Sequence, residues 1–489
     1  MPLLQERLGR RAGNPPPASE LTCRPAVSWG QGTGNWARVE RQVRRLQERI
    51  FRASREGKWR KMKHLQRMLA RSWSAKVLAI RGVTVQSSGR CTPGVDGKVY
   101  LAADAREELS LEKFDYRKHQ PQPAKRAYIP KPGGRTRPLG IPVIKDRVME
   151  DIVKMAAEPE WESKFAADSY GFRPGRSCHD AVEAIYQAVR DMKKRGYGAW
   201  VFEADIKSCF DRIAHEPLLA RLRLFRDIVR RWLKAGVVEF GHYEPTEAGT
   251  PQGGVISPLL ANIALDGIER LFAGKWWARV VRYADDFVIV AATKRIIECT
   301  IRPAVERFLA ERGLELNAQK TGVVSLGHGF NFLGFTFKES SGTLLITPQK
   351  EKVQRFLRHL KAILSANKQA THRDLLVLLN PVIRGWANYY RFCSAQPAFY
   401  HVSDLLFWKL WRWAKRRHSN KSREWVRLKY FQGRDGRQWS FGVNGGLQLY
   451  NVRETRVLRF KKVYGAASPF DVRLRAYWAG RVRQVLAKL

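Results

Sequence analysis

Between Val280 and Ala291 the chain reads Val-Val-Arg-Tyr-Ala-Asp-Asp-Phe-Val-Ile-Val-Ala, and this stretch restricts the fold most. Two runs rich in β-branched and aromatic residues flank a short polar break at Ala284, Asp285 and Asp286. That is the pattern of a β-hairpin whose tip carries two adjacent carboxylates. Carboxylates at such a tip stay wet and ionised and repel each other, so the pair is costly unless a cation sits beside it. A hard divalent ion with oxygen ligands meets that need. Asp is also a common turn residue, so a third acid and a ligand pocket must be sought elsewhere in the chain.

The third acid emerges in Ala199-Trp-Val-Phe-Glu-Ala-Asp-Ile-Lys-Ser-Cys-Phe-Asp211. Trp200-Val201-Phe202 is a strand run, and Asp205 falls where that strand hands over to a loop and a helix. Phe210 would project beside the same place. Glu203 and Asp211 compete for the role, since alternation puts Glu203 on the strand face of Asp205. Between the two acidic stretches lies Ala248-Gly-Thr-Pro-Gln-Gly-Gly-Val-Ile-Ser-Pro-Leu-Leu-Ala-Asn262. Its glycines allow backbone to approach a ligand closely, Gln252 is held between them, and a helix with Pro in its first turn starts near Ser257. Upstream, Tyr128-Ile129 and Leu139-Gly140-Ile141 read as two strands around a Pro-Gly-Gly turn that carries Lys131, Arg135 and Arg137. A flexible cationic hairpin of this kind can fold over a triphosphate.

A formal charge of +44 on 489 residues implies a polyanionic partner. The charge is uneven: residues 1–100 carry net +15 and residues 341–489 net +23, against +6 for the residues between. Basic flanks thus surround a nearly balanced centre. Val39, Val43, Leu46 and Ile50, and then Leu65, Met68 and Leu69, recur at helical spacing with Arg and Lys on the other faces, which predicts two basic amphipathic helices. Beyond residue 345 the pattern is helical again. There Trp386, Tyr389, Tyr390, Trp408, Trp411 and Trp413 interleave with Arg384, Arg391, Lys409, Arg412, Lys415, Arg416 and Arg417. Aromatic and cationic faces together suit nucleic acid. The six cysteines, Cys23, Cys91, Cys178, Cys209, Cys299 and Cys393, are scattered without a Cys-x-x-Cys pair, so neither a zinc site nor a disulfide framework is expected and a reducing compartment, the cytoplasm, is the natural home. No apolar run approaches the ~20 residues of a membrane span.

Taken together, Tyr283-Ala-Asp-Asp286, Pro251-Gln-Gly-Gly-Val-Ile-Ser-Pro258, Ile129-Pro-Lys131, Arg137-Pro-Leu-Gly-Ile-Pro142, Tyr170-Gly-Phe-Arg-Pro-Gly175 and Phe332-Leu-Gly-Phe335 resemble the motifs, in order and spacing, of the reverse transcriptase and maturase encoded by mobile group II introns. The resemblance implies an α+β, right-hand-like polymerase. Residues 1–35 would be a flexible tail, 36–95 a basic helical extension, 96–340 fingers and palm, 341–430 a helical thumb and maturase domain, and 431–489 a small basic DNA-binding module. It implies two Mg2+ ions on Asp205, Asp285, Asp286 and the main-chain carbonyl of Ile206. Lys131 and Arg137 would hold the incoming triphosphate, Gln252 would touch sugar and base, and Phe210 would reject a 2′-hydroxyl by bulk. Lys320 resembles the lysine that protonates pyrophosphate, and Phe332, Leu333, Gly334 and Phe335 the primer grip. Arg384, Arg391, Arg412, Lys415, Arg416 and Arg417 would meet RNA or DNA.

The function so implied is RNA-directed DNA synthesis from dNTPs on a primer-template duplex, joined to splicing of the intron RNA and retrohoming into target DNA by target-primed reverse transcription, in the cytoplasm and at the nucleoid. The paired cysteines and His-rich motif of the HNH endonuclease that many relatives carry do not occur before Leu489, so priming from nascent DNA at a replication fork is the expected route. A domesticated relative and an RNA-binding splicing factor with a vestigial polymerase site are the alternatives. If the basic flanks bind phosphates, affinity for RNA falls with salt at a log-log slope of about −0.7 to −0.9 for each phosphate neutralised. A titration of binding against KCl concentration measures it, and a flat response would remove the polyanion partner.

Overall fold

The computed structural model describes residues 29, 35–130, 134, 136–434, 437–443 and 446–486. Lys131 and Arg135 and nearly all of the expected N-terminal tail therefore lie outside the described residues. Strands are numbered in chain order: β1 (Ala124–Pro130), β2 (Thr136–Ile141), β3 (Trp200–Ala204), β4 (Val237–Glu239), β5 (His242–Glu244), β6 (Ala278–Tyr283), β7 (Asp286–Ala291), β8 (Gly322–Ser325), β9 (Phe330–Phe332), β10 (Phe335–Ser340), β11 (Thr343–Pro348), β12 (Phe431–Arg434) and β13 (Arg437–Phe441). The central sheet runs β6-β7-β3-β8, all antiparallel. A second sheet, β2-β1-β4-β5, contains the cationic hairpin, and β11-β10-β9 and β12-β13 form two smaller ones.

Both faces of the central sheet are covered, which explains why its strands read as continuous apolar runs. Phe202, Ala204, Phe287 and Ile289 point into one core, shared with the N-terminal helices and the helix Ile144–Glu162. Val201, Val288 and Val290 point into a second core, built from the helix Cys178–Lys194 and the C-terminal helices Lys350–Ala366, His372–Tyr390 and Gln396–Arg417. Among the described residues no helix is long and apolar enough to cross a membrane.

Two differences from the sequence reading have clear causes. The N-terminal region holds three successive helices, Trp36–Arg55, Trp59–Ala70 and Trp73–Arg81, where two were expected. The third is capped by Ser72, whose hydroxyl accepts from Ala75 N at 3.1 Å, and buries Ala75, Val77, Ala79 and Ile80. Apolar residues on so many sides leave no amphipathic period to read. The segment from 431 onward, expected as a small module, places Phe431, Phe441, Val452, Val463 and Ala467 in the second core. Its short strands have too little apolar surface for a core of their own. The segment also returns to the N-terminal helix, with Arg475 on Glu48 (2.6 Å), Arg55 on Asp471 (2.7 Å) and Arg44 on the Pro469 carbonyl.

One close approach locks the sheet end. A Cβ on Gly171 would stand 2.2 Å from the backbone nitrogen of Ala284, the first tip residue of the β6–β7 hairpin. Since that neighbour is main chain, Gly171→Ala is expected to destabilise the protein by about 2 kcal/mol or more. Gly198→Ala, where nothing lies within 4 Å, is expected to be near neutral. Thermal unfolding of the pair checks it, and equal Tm values would refute the tight-contact account.

Candidate active site at the end of the central sheet

The β6–β7 hairpin closes through the pair Tyr283–Asp286, leaving Ala284 and Asp285 as a two-residue loop. Ala284 takes φ +59°, a left-handed conformation that a residue with a Cβ adopts only when its surroundings impose it. Arg282 imposes it. This side chain is fully buried, pairs with buried Glu269 at 2.6 Å, and donates to Asn262 Oδ1 (2.9 Å), Ser169 Oγ (2.7 Å) and the Ala284 carbonyl (2.9 Å). Main-chain bonds from Arg282 N to Asp168 O and from Tyr170 N to Arg282 O dock the Tyr-Gly-Phe-Arg-Pro-Gly loop against the same strand.

The register of β3 on β7 brings the third acid in. Ala204 pairs with Phe287 at the end of that ladder, and Asp205, the next residue, comes close enough to Asp286 for its charge to act on it. Alternation gives Asp205 and Asp286 the same face. Glu203, the competitor, pairs with Val288 two residues further into the sheet, where burial raises its carboxyl above the usual range. On the other edge of β3, Asn317 N donates to Asp205 O (2.8 Å) and Lys207 N to Glu315 O (3.0 Å). In an antiparallel ladder that pattern turns the Ile206 carbonyl the opposite way, toward the hairpin.

The electrostatics are those of an anion cluster short of counter-charge. Asp286, exposed at the hairpin tip, is pushed up to about 6, first by the protein around its carboxyl and then by the charges of Asp285 and Asp205. Buried Cys209, beside the cluster, has its thiol raised first by burial and then by Asp285. Asp205 Oδ2 accepts from Lys320 Nζ and from Asn317 Nδ2, both at 3.0 Å, so an ammonium already stands as a cation at one acid. Three carboxylates with a raised member and all-oxygen donors fit a hard divalent ion. Among the described residues no three acids, histidines or cysteines are drawn together closely enough to form a ready metal cage.

Arg137 and Gln252 meet across the cleft between the cationic hairpin and the sheet. Arg137 Nε donates to Gln252 Oε1 at 2.8 Å, and Gln252 Nε2 donates to both oxygens of Asp211 at 3.0 Å. Asp211 therefore fixes which end of the amide faces the arginine. A Cβ on Gly253 would lie 2.4 Å from Gly140 O, so the glycine loop rests directly on β2. Phe210 is buried, edge-on to Phe172 at 6.4 Å, and Thr250 N donates to its carbonyl at 2.6 Å. Buried Glu150, raised to about 8 first by desolvation, accepts from Val255 N (2.5 Å) and Ile256 N (3.4 Å) and anchors the same loop.

Phe332 and Phe335 are core residues flanking the turn Leu333-Gly334, whose φ angles of +50° and +82° fit a tight hairpin. The hydroxyls of Tyr389 and Tyr390 donate to the Leu333 and Gly334 carbonyls at 2.9 and 3.3 Å, fastening the turn to the helix His372–Tyr390. Of the expected phosphate-binding cations, Arg384, Arg412, Arg416 and Arg417 are exposed and Lys415 is half-buried. Arg391 is only 9% exposed and donates to Asn388 Oδ1 at the end of its helix, with Leu458 N on its carbonyl. Arg282, Asp211 and Glu150 went unassigned in the sequence. An arginine inside the apolar run Val280-Val281-Arg282-Tyr283 was the one available signal.

Comparison with known families agrees with this geometry. The model described as reverse transcriptase (RNA-dependent DNA polymerase) matches residues 129–337, the N-terminal domain of reverse transcriptase 32–112, and the group II intron maturase-specific domain 353–431. The mixed helix and strand fold is consistent with the fingers and palm of a polymerase. Protein YkfC of Escherichia coli K12 is 36% identical over 58% of this chain and 86% of its own length. The group II intron-encoded protein LtrA of Lactococcus lactis subsp. cremoris is 27% identical over 56% of this chain and 62% of its own, and maturase-like protein 1 of Euglena gracilis 26% over 75% and 79%. The chain belongs to the reverse transcriptases that carry a group II intron maturase domain.

Asp286 also sets a pH dependence. Its folded pKa is raised, so the folded state holds the proton more tightly than the unfolded chain; the resulting stabilisation is full below about pH 4 and is lost as pH rises through about 6. Asp286→Asn is therefore expected to raise the Tm of metal-free protein at pH 8, with the gain shrinking as pH falls through 6. Calorimetry at pH 5 and 8 decides, and a gain that is equal at both would contradict it.

Proposed function

We propose that the chain copies RNA into DNA at the end of the central sheet, with two Mg2+ ions held by Asp205, Asp285, Asp286 and the Ile206 carbonyl, and that it also binds its intron RNA and assists splicing. The observation that supports the reading is that Asp205 follows the end of the β3–β7 ladder, near enough to the hairpin tip for its charge to act on Asp286. Bound Mg2+ would supply acidity to a primer 3′-hydroxyl and neutralise the triphosphate. The residues of the chain do the rest. Arg137 would release Gln252 to grip phosphate, together with Lys131. Gln252, kept in one orientation by Asp211, would meet the sugar and base. Phe210, rigid between Phe172 and the Thr250 amide, would exclude a 2′-hydroxyl by volume. Lys320 carries a proton within reach of the acid cluster and would hand it to departing pyrophosphate.

Template and primer would lie along the cationic C-terminal helices, the region we assign as thumb and maturase surface, through Arg384, Arg412, Lys415, Arg416 and Arg417. The turn Leu333-Gly334 would steady the primer end. Target DNA, dNTPs and retrohoming in the cytoplasm follow from the same reading. Asp285→Ala is expected to reduce Mg2+-dependent extension of a DNA primer on an RNA template by ~10³-fold or more while splicing of a precursor intron persists, because RNA affinity resides in the flanks. Primer extension and in vitro splicing with the same variant test both halves. Undiminished synthesis would refute the assignment of the acids.

A further inference from the structure

The helix Gln396–Arg417 presents two hollows that share Arg412 and Arg416. The larger, about 1030 Å³, is lined by Phe407, Trp408, Trp411 and Trp439. Trp408 is 54% and Trp439 44% exposed, a large apolar area to leave in water. Trp411 and Trp439 lie 5.7 Å apart at 43°, Phe407 is nearly parallel to Trp411, and the Arg427 guanidinium stands over Trp439 at 5.6 Å. The rim adds Lys415 and Arg423, and Glu424 is the one acid lining it, itself 3.6 Å from Arg427. The smaller hollow, about 380 Å³, is lined by Lys361, Lys368, Lys409 and Arg417 besides the shared arginines, with no acid among the described lining. Helical spacing makes the division: Trp408, Trp411 and Lys415 lie on one stripe, Lys409, Arg412 and Arg416 on the next.

We propose that this face binds unpaired RNA, an unstacked base inserting against the indoles while its flanking phosphates cross the helix onto the cationic hollow. The proposal rests on the RNA-binding reading above and names the form of RNA recognised. Charge complementarity selects a polyanion, and exposed indoles select one with free base faces, which a duplex hides. Cations alone would serve a duplex equally well.

Fluorescence anisotropy of the full chain with a labelled oligo(A) RNA, beside an RNA duplex of equal phosphate count, tests it. Trp408→Ala combined with Trp439→Ala is expected to weaken the single strand by ~10-fold or more and to spare the duplex, and Trp408→Phe to keep most of the affinity. Arg412→Gln with Arg416→Gln should instead flatten the salt dependence by about 0.7 in log-log slope for each phosphate no longer neutralised. Unchanged binding of the strand by the double Trp variant, as a surface built for an acidic peptide would give, overturns the proposal; so does equal weakening of strand and duplex. Primer extension on a preformed RNA–DNA primer-template, run in parallel, separates the two readings. A wild-type chain that binds the strand through its indoles yet extends nothing defeats the polymerase reading alone.

Discussion

The buried guanidinium of Arg282 sets the geometry at the end of the central sheet. Desolvating a guanidinium is tolerable only with a charge partner and with its remaining donors satisfied. Here Glu269 supplies the charge, and Asn262, Ser169 and the Ala284 carbonyl take the donors. Because these partners come from a helix, a loop and the hairpin itself, the network registers the three elements against one another. The left-handed Ala284 is the visible consequence: strain at the loop is held by bonds to a side chain two residues earlier. Gly171 completes the constraint from outside, since only a residue without a Cβ lets the adjacent loop come that close.

What this rigidity achieves is electrostatic. Left to themselves Asp205, Asp285 and Asp286 would move apart or take up protons, and the raised carboxyl of Asp286 registers that tendency. Lys320, paired with Asp205, offsets part of the repulsion, and its charge and that of Arg137 also act on Asp286. Around the cluster the whole chain is strongly positive. The long-range field therefore draws in polyanions, while the local field at the sheet end attracts cations. A nucleoside triphosphate carrying its own divalent ion satisfies both fields at once, and a bare phosphate chain satisfies only the first.

Asp205, Asp285 and Asp286 stand out in the sequence because each lies where period-two apolar runs stop, and strand ends are where side chains leave the core. Glu203 obeys the same alternation; that it pairs with Val288 and Gly322 inside the sheet arises from β7 and β8 and leaves no mark in a single sequence. Asp211 was visible as an acid but not as the partner of Gln252, since the two are brought together by the glycine loop folding onto β2. The third N-terminal helix escaped because it is buried on most sides. The burial of Arg391 was not legible, because a cation among aromatics looks alike in sequence whether it faces water or a returning chain segment.

The aromatic-rich C-terminal helices show how far periodicity can go once a structure anchors its phase. In Gln396–Arg417 the positions Phe399, Val402, Leu406, Leu410, Trp413 and Ala414 are buried in a stripe against the neighbouring helices. That stripe accounts for Trp413, which donates through Nε1 to the Asn367 carbonyl at 3.2 Å. Trp408 belongs to the opposite side, and its residue type alone would have assigned it to the core as well. A buried indole finds its hydrogen bond inside the protein, as Trp413 does. An exposed one beside a row of arginines leaves its ring face open to a partner, and cations at helical intervals on the next stripe restrict which partner can approach.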